Sequence, residues 1–211
     1  MSFKQSSPTP FSIIKKLLEI GRKSVCKIFF IYGQKEGKGT GFLCEIEYKG
    51  IPFKKALITA NYILNEDSIK LGKKIIIELD GKQSEIEISN NRKVFMDKDL
   101  DYTCIEIFEN FNEALKIENQ ADIIKEKDCF LISYPFGNEI SLSCGIIKNT
   151  DKGLIHTCST GNGSGGAPII IYSENKFSVI GIHIGFIQDK NFRIGNKISL
   201  ILENIKEKCN K

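Results

Sequence analysis

The most informative stretch of this chain is Ser159-Thr-Gly-Asn-Gly-Ser-Gly-Gly-Ala-Pro-Ile169. It is a glycine-rich loop that carries one internal serine, Ser164, and runs into an apolar strand. A second apolar strand, Val179-Ile-Gly-Ile-His-Ile-Gly185, follows it. Glycine-serine loops are common, so this loop alone is weak evidence for any activity. Its meaning depends on the segments that precede it.

Three segments in the first half of the chain stand out as well. Gly39-Thr-Gly-Phe42 heads a strand and is, on its own, an ordinary glycine hairpin. Ala56-Leu-Ile-Thr-Ala-Asn-Tyr-Ile-Leu64 is an apolar strand that ends in a polar kink. Leu100-Asp-Tyr-Thr-Cys-Ile-Glu-Ile107 places an acid at the start of a buried strand. The order of these segments along the chain is more informative than any one of them.

The pattern of apolar residues predicts an all-β protein. From Val25 onward, short runs rich in Ile, Val, Phe and Tyr are broken by Gly, Asn and Asp at intervals of about ten residues. About eleven such strands fit two antiparallel barrels better than one sandwich. Apolar residues at helical spacing predict a short helix at each end of the chain, near residues 11–23 and 199–208.

The boundary between the two halves is expected in the longest polar interval without strand character, Phe108 to Asp128. We therefore predict a leader with the N-terminal helix at residues 1–23 and a first barrel at residues 24–112. The second barrel and the C-terminal helix are predicted at residues 113–211.

Composition excludes several classes of protein. The 211 residues are 41% hydrophobic and 27% charged, which is enough apolar material for a sizeable core. A formal net charge of +4 is too small for a nucleic-acid partner. No apolar run reaches the roughly 18 residues of a membrane span, and no secretory signal is evident. The chain has seven cysteines without a CxxC pair, so we expect reduced thiols and a cytoplasmic location. Because it has only two histidines, we expect no metal, and we also expect no cofactor.

Taken together, these segments resemble the trypsin-like (chymotrypsin-fold) serine proteases, nearest to the glutamyl endopeptidase style of that fold. ITANYIL (58–64) corresponds to the strand of the catalytic histidine, and LDYTCIEI (100–107) to the segment of the catalytic aspartate. LISYPFG (131–137) corresponds to the Tyr-Pro turn of the second barrel, GNGSGGAP (161–168) to the nucleophile loop, and GIHIG (181–185) to the strand beside the specificity pocket. The resemblance implies two six-stranded antiparallel β-barrels with a cleft between them.

The histidine segment departs from the family, because Tyr62 stands where the general base is expected. A histidine accepts the serine proton because its pKa is about 6.5, whereas a tyrosine, with a pKa of about 10, stays protonated. Tyr62 is therefore expected to be a poor base. Asp101 matches the family's aspartate; equally, it could cap a turn and accept a hydrogen bond from the Tyr62 hydroxyl.

Two alignments of the nucleophile loop are open. If Pro168 keeps the family's place, the nucleophile position is Gly165, and the oxyanion donors are the backbone N–H groups of Gly165 and Gly163. If Ser164 is the nucleophile, an extra residue precedes Pro168 and Asn162 takes the oxyanion position, which asparagine tolerates. We favour Gly165, because the oxyanion turn suits glycine. In either alignment the triad has no histidine.

The substrate-binding side of the cleft corresponds better to the family. The resemblance implies that Thr160 and His183 hold an acidic or amide side chain, and that the strand after His183 pairs with an extended peptide. Equally, His183 could be a core histidine that is hydrogen-bonded within its own barrel. His156 is expected to be a strand residue that pairs with a neighbour.

Three functions are compatible with these residues. The leading hypothesis is a pseudoprotease that binds a peptide or protein in the cleft without cleaving it. The alternative is a weakly active serine endopeptidase with Ser164 as nucleophile and a preference for Glu or Gln. The third is a scaffold subunit that binds its partner through the N-terminal helix or another outer face. The sequence leaves the oligomeric state open.

Overall fold

A computed structural model describes residues 9–32, 35–111, 113–117, 126–149, 153–187 and 192–210. Helix α1 comes first, fourteen strands follow, and helix α2 comes last among the described residues. The strands of the first half are β1 (Val25–Tyr32), β2 (Lys35–Glu45), β3 (Lys55–Thr59), β4 (Lys74–Leu79), β5 (Lys82–Glu87), β6 (Val94–Asp97), β7 (Tyr102–Glu106) and β8 (Leu115–Lys116). Those of the second half are β9 (Asp128–Ser133), β10 (Ser141–Asn149), β11 (Leu154–His156), β12 (Pro168–Ser173), β13 (Lys176–Ile187) and β14 (Phe192–Lys197). The helices are α1 (Phe11–Ser24) and α2 (Ile198–Cys209).

Helix α1 forms where the apolar spacing predicts it. Its buried face includes Leu17 and Gly21, and a Cβ on Gly21 would lie 2.5 Å from the Ile132 side chain. Glycine therefore lets the helix lie close against β9 of the second half. Arg22 and Lys23 occupy the last turn, where positive charge complements the helix dipole.

The first half is a strongly curved sheet of eight strands in the order β5-β4-β1-β2-β3-β7-β6, with the short β8 parallel to β2. No ladder joins β5 to β6 among the described residues, so this sheet is not closed by hydrogen bonds as the predicted six-stranded barrel would be. The two edge strands are consecutive in the chain, and only residues 88–93 connect them. The first half is therefore a half-barrel sheet rather than the closed barrel that we predicted.

The second half is a closed barrel of six strands in the order β10-β11-β14-β13-β12-β9. All its ladders are antiparallel, which follows from the short turns that connect successive strands. The predicted all-β architecture of two halves with a helix at each end is thus observed, and the second half is a closed six-stranded barrel.

The two halves share one apolar core. It includes Leu17 of α1, Phe42 of the first sheet, Phe130 of the second barrel and Ile201 of α2. The segment that follows our predicted boundary contacts both halves, because β8 pairs with β2 while Ile117 bridges to Val179. The seven cysteines all carry free thiols. Within the described ranges, neither helix is long and apolar enough to cross a membrane.

Candidate functional site

The glycine-rich loop between β11 and β12 is fixed by its own backbone. Ser164 N donates to Gly161 O and Ala167 N to Ser164 O, which makes two successive turns. Gly163 and Gly166 have φ of 90° and 78°, in the left-handed region that glycine enters without strain. A Cβ on Gly163 would also lie 2.6 Å from Tyr134 O. The loop therefore requires glycine at both positions.

Thr40 of β2 anchors this loop to the first half. Its hydroxyl donates to Gly163 O at 2.7 Å and accepts from Tyr134 N at 3.1 Å, and its backbone N–H donates to Gly165 O at 3.0 Å. Thr59 Oγ1 in turn donates to Thr40 O at 2.7 Å. The Gly-Thr-Gly segment of the sequence is thus a cross-barrel clamp, a role that sequence reasoning missed.

Tyr62 and Gly165 are in direct contact across the cleft. A Cβ placed on Gly165 would lie 1.5 Å from the Tyr62 hydroxyl oxygen and 2.6 Å from Cζ. No side chain larger than hydrogen fits at position 165 while Tyr62 keeps this position. The two residues that depart from the family pattern in our favoured alignment therefore fit one another.

Asp101 holds the backbone of Tyr62 rather than its hydroxyl. Its Oδ1 accepts from Tyr62 N at 3.1 Å, and Asp101 itself has φ of 41° at the turn before β7. Burial raises the pKa of Asp101, and the N–H groups of Tyr62 and Asn61 partly oppose that rise. The hypothesis that Asp101 caps a turn agrees with this geometry. The hydrogen bond that we considered between Asp101 and the Tyr62 hydroxyl is not formed, because that hydroxyl lies against Gly165.

The phenol of Tyr62 is unsuited to accept a proton. Burial raises its pKa to about 12, and the negative charge of Asp101 contributes to the rise. Tyr62 is nevertheless 50% exposed, so it contributes to the surface of the cleft.

Ser164 lies inside the second barrel, away from the cleft. Its side chain is fully buried, with Oγ 3.1 Å from Ser133 Oγ and accepting from Gly161 N at 3.2 Å. This hydroxyl is a structural group of the loop. The two candidate oxyanion donors, by contrast, are not engaged in this way. Neither Gly163 N nor Gly165 N donates a hydrogen bond to any described residue.

The two histidines are hydrogen-bonded to each other within the second barrel. His156 Nε2 lies 3.3 Å from His183 Nδ1, with the rings edge to face. The backbone of Ile194 acts on the His183 ring and partly opposes the fall of its pKa. His156 Nδ1 is buried and has no partner among the described residues, which favours the tautomer with its proton on Nε2. His156 is thus the paired strand residue that we expected.

Both imidazoles are held neutral. Burial is the main reason that the pKa falls to about 3 for His156 and to about 4 for His183. The positive charge of Arg193 lowers both values further, and the proximity of His183 also lowers the pKa of His156. Neither histidine lies at the Tyr62–Gly165 contact, so neither replaces the missing base there.

Arg193 is hydrogen-bonded to Thr160, one of the two predicted binding residues, and sequence reasoning missed it. Its Nε donates to Thr160 Oγ1 at 2.6 Å, and in the β-ladders it is opposite His156 on one side and Phe186 on the other. It forms no ion pair with a described acidic side chain. The sequence analysis predicted neither the strand that carries Arg193, β14, nor the long-range pairing that brings this residue to Thr160.

Strand β13 presents an unpaired edge next to this group. Its pairing with β12 ends at Ile182 opposite Pro168, and His183 is then bonded to Gly166 and Ala167. Beyond that point, through Ile187, β13 pairs with β14 alone among the described strands. A Cβ on Gly185 would meet nothing within 4 Å, and Phe186 is 65% exposed.

On the other side of the loop lies a cavity of about 970 Å³ between the first sheet and the turn after β9. Its lining includes Arg22, Lys27, Tyr134 and Phe136. Phe136 is exposed and also adjoins the glycine-rich loop, since a Cβ on Gly161 would lie 2.9 Å from its ring. Within the described ranges, no group of three or more His, Cys, Asp or Glu could hold a metal ion.

Solved protein structures share this architecture along almost the whole chain. The active form of the Rv3671c protease of M. tuberculosis has a TM-score of 0.71 and 16% sequence identity, covering 95% of this chain and 87% of that one. The serine endoprotease of Yersinia pestis has a TM-score of 0.67 and 16% identity, covering 97% and 68%. The chain has the fold of the trypsin-like serine proteases.

A third similar structure is the HtrA-type protease AlgW with a tripeptide, with a TM-score of 0.68 and 16% identity, covering 90% of this chain and 61% of that one. No protein-family model and no curated protein matches the sequence. At such identities the similarity shows the trypsin-like fold and leaves the activity to the residues of the cleft.

Proposed function

We propose that this trypsin-like chain is a pseudoprotease that binds an extended peptide or protein segment in the cleft between its barrels without cleaving it. The contact between the Tyr62 hydroxyl and Gly165 is the observation that carries the proposal. In our favoured alignment these are the base and nucleophile positions. The Tyr62 hydroxyl occupies the space that a side chain at the nucleophile position would need.

The loss of both groups is decisive for the chemistry. In a serine protease triad the histidine and serine act as a unit, and removal of either costs about a millionfold in turnover. Tyr62 keeps its proton because its pKa is raised to about 12, and Gly165 has no nucleophilic atom. His156 and His183 are hydrogen-bonded to each other inside the second barrel. Ser164, the nucleophile of the alternative hypothesis, has its hydroxyl engaged with Ser133 and Gly161.

The edge of β13 supports the binding part of the proposal. An extended peptide gains main-chain hydrogen bonds when it adds to an unpaired strand edge. The segment from Ile184 to Ile187 offers such an edge among the described strands, directly after His183, whose carbonyl accepts from Gly166 N, and a Cβ on Gly185 would meet nothing within 4 Å. Phe186 on this strand and Phe136 against the glycine-rich loop are exposed aromatic side chains, which peptide-binding sites commonly use.

Fluorescence polarisation with a labelled pool of extended peptides tests this proposal. Gly185→Phe is the blocking variant, because the open space at Gly185 admits a side chain without disturbing the barrel. Lys82→Phe, on an exposed position of β5, is the matched control. We expect binding by the wild type and by Lys82→Phe, and at least a tenfold weaker affinity, about 1.4 kcal/mol, for Gly185→Phe. Equal binding by all three proteins would show that the ligand uses another surface, as the scaffold hypothesis requires.

A further inference from the structure

We infer that Arg193, rather than His183, is the group that selects the ligand, and that it binds an acidic side chain of the peptide in the cleft. This inference rests on the proposed function, because it names the class of peptide that the same cleft binds. It differs from the resemblance-based expectation, which assigned the selection to Thr160 and His183 and left acidic and amide side chains equivalent.

The first step of the argument is the geometry of His183. Its Nδ1 faces His156 Nε2 at 3.3 Å. The side chain is 4% exposed. His183 Nδ1 is therefore engaged within the barrel, and the imidazole as a whole presents little surface to a ligand in the cleft.

The second step is the charge of the site. With both histidines neutral, the positive charge between the glycine-rich loop and β13 belongs to Arg193. Only one of its N–H donors is used strongly, by Thr160 at 2.6 Å, and a second contact to the Phe192 carbonyl is long at 3.4 Å. No described acidic side chain neutralises the guanidinium. A partly buried cation without an anionic neighbour favours a carboxylate ligand over a neutral amide.

The third step is the position of Arg193. Thr160 fixes Nε and belongs to the segment that enters the Gly161–Gly166 loop. Phe186, opposite Arg193 in the β13–β14 ladder, lies on the unpaired edge that would receive the peptide. A side chain that projects from a peptide on this edge toward the loop therefore approaches the planar guanidinium, whose remaining donors can hold both carboxylate oxygens.

Matched peptides test the inference. The probes are two acetylated and amidated hexapeptides of alanine that differ only in a central Glu or Gln, so that the side chain supplies the single carboxylate. We expect the wild type to bind the Glu peptide at least about tenfold more tightly, as charge-assisted hydrogen bonds require. Arg193→Gln should reduce this preference to within about twofold while the affinity for the Gln peptide is retained. Lys197→Gln removes the same charge from the same strand without contacting Thr160, and should keep the preference.

The pH dependence of the wild type provides a second measurement that needs no variant. A preference due to an arginine stays constant from about pH 6 to pH 8, whereas one due to a histidine declines over that range. If both peptides bind with equal affinity, or the preference survives Arg193→Gln, the inference about Arg193 is wrong while the cleft still binds peptides. If neither hexapeptide nor any member of the extended pool binds, the proposed function itself fails.

Discussion

The hydroxyl of Tyr62 lies where the side chain of residue 165 would begin, so that a Cβ on Gly165 would be 1.5 Å from its oxygen. The tyrosine and the glycine are thus mutually dependent. Either change alone would disable a serine protease. Only the pair allows the Tyr62 hydroxyl to occupy the space that a side chain at position 165 would take. This relationship leads directly to a test by double substitution.

Gly165→Ala should be destabilising by about 1–3 kcal/mol in the wild type, because the added methyl group displaces the Tyr62 ring. In a Tyr62→Ala background the same substitution should be close to neutral, since the space is then empty. Urea unfolding of the two single variants and the double variant measures this coupling. Strictly additive effects would show that the two residues do not depend on each other.

Ser164→Ala should lower the free energy of unfolding by about 1–2 kcal/mol, because it removes a buried hydroxyl that is bonded to Ser133 and Gly161. Peptide affinity should change by less than about twofold, a difference of roughly 0.4 kcal/mol. Polarisation binding and urea unfolding on the same preparation separate the two effects. A large loss of binding with unchanged stability would place the Ser164 hydroxyl in the cleft.

The buried histidine pair predicts a loss of stability in acid. Both pKa values are depressed in the folded protein, to about 3 and about 4, from 6.5. The stabilisation is therefore complete above about pH 6.5 and is lost as the pH falls toward the folded values, because the unfolded chain binds the protons first. Each depressed group contributes on the order of 2 kcal/mol to the difference between pH 7 and pH 5.

Urea unfolding across this range provides the measurement. The raised pKa of Asp101 acts in the opposite direction, because its protonation favours the folded state. His156→Gln, which removes one of the two titrating rings, should make the pH dependence shallower. A wild-type stability that is flat from pH 7 to pH 5 would mean that the histidines are not held neutral.

Thr160 is a positioning residue for Arg193, because its hydroxyl accepts a hydrogen bond from the guanidinium. Thr160→Val removes the hydroxyl that accepts from Nε, and should weaken the preference for the Glu hexapeptide by about 3- to 10-fold, on the order of 1 kcal/mol. Thr160→Ser keeps an acceptor and should restore most of the preference. If the serine variant behaves like the valine variant, the effect comes from packing rather than from the hydrogen bond.

The double variant Tyr62→His with Gly165→Ser should gain peptide hydrolysis. Asp101 already lies next to residue 62, and the N–H groups of Gly163 and Gly165 have no described acceptor. The expected gain is about 10²-fold over the wild type, near the lower end of what a positioned general base contributes. Adding Asp101→Asn to the double variant should reduce that gain. The absence of any gain would show that the loop does not hold its N–H groups for catalysis.

The sequence was sufficient for the fold because the relevant signals are local and ordered. Glycine at position 163 was expected from the conformation of an oxyanion turn, and its φ of 90° agrees. The helices at both ends and about eleven strands followed from periodicity, whereas the structure describes fourteen strands, so that β6, β8 and β14 were missed. The lack of pairing between β5 and β6 among the described residues was not predictable, because it depends on the course of the chain between the two strands.

The contacts of the site were harder to foresee because they join distant parts of the chain. We considered the Tyr62 hydroxyl a partner for Asp101, yet it lies against Gly165, while Asp101 accepts from the Tyr62 backbone. Arg193 reaches Thr160 only because β14 pairs with β11 in a particular register. Such registers are decided by the packing of the whole barrel rather than by neighbouring residues.

The most direct test of the account is mass spectrometry of an extended peptide pool that has been incubated with the wild-type protein, and in parallel with Ser164→Ala. Polarisation binding is measured on the same samples. The account predicts that peptides are bound and remain intact with both proteins, because the nucleophile position is Gly165 and the base position is Tyr62. Cleavage by the wild type that Ser164→Ala abolishes would contradict it, and would make Ser164 the nucleophile of an active protease.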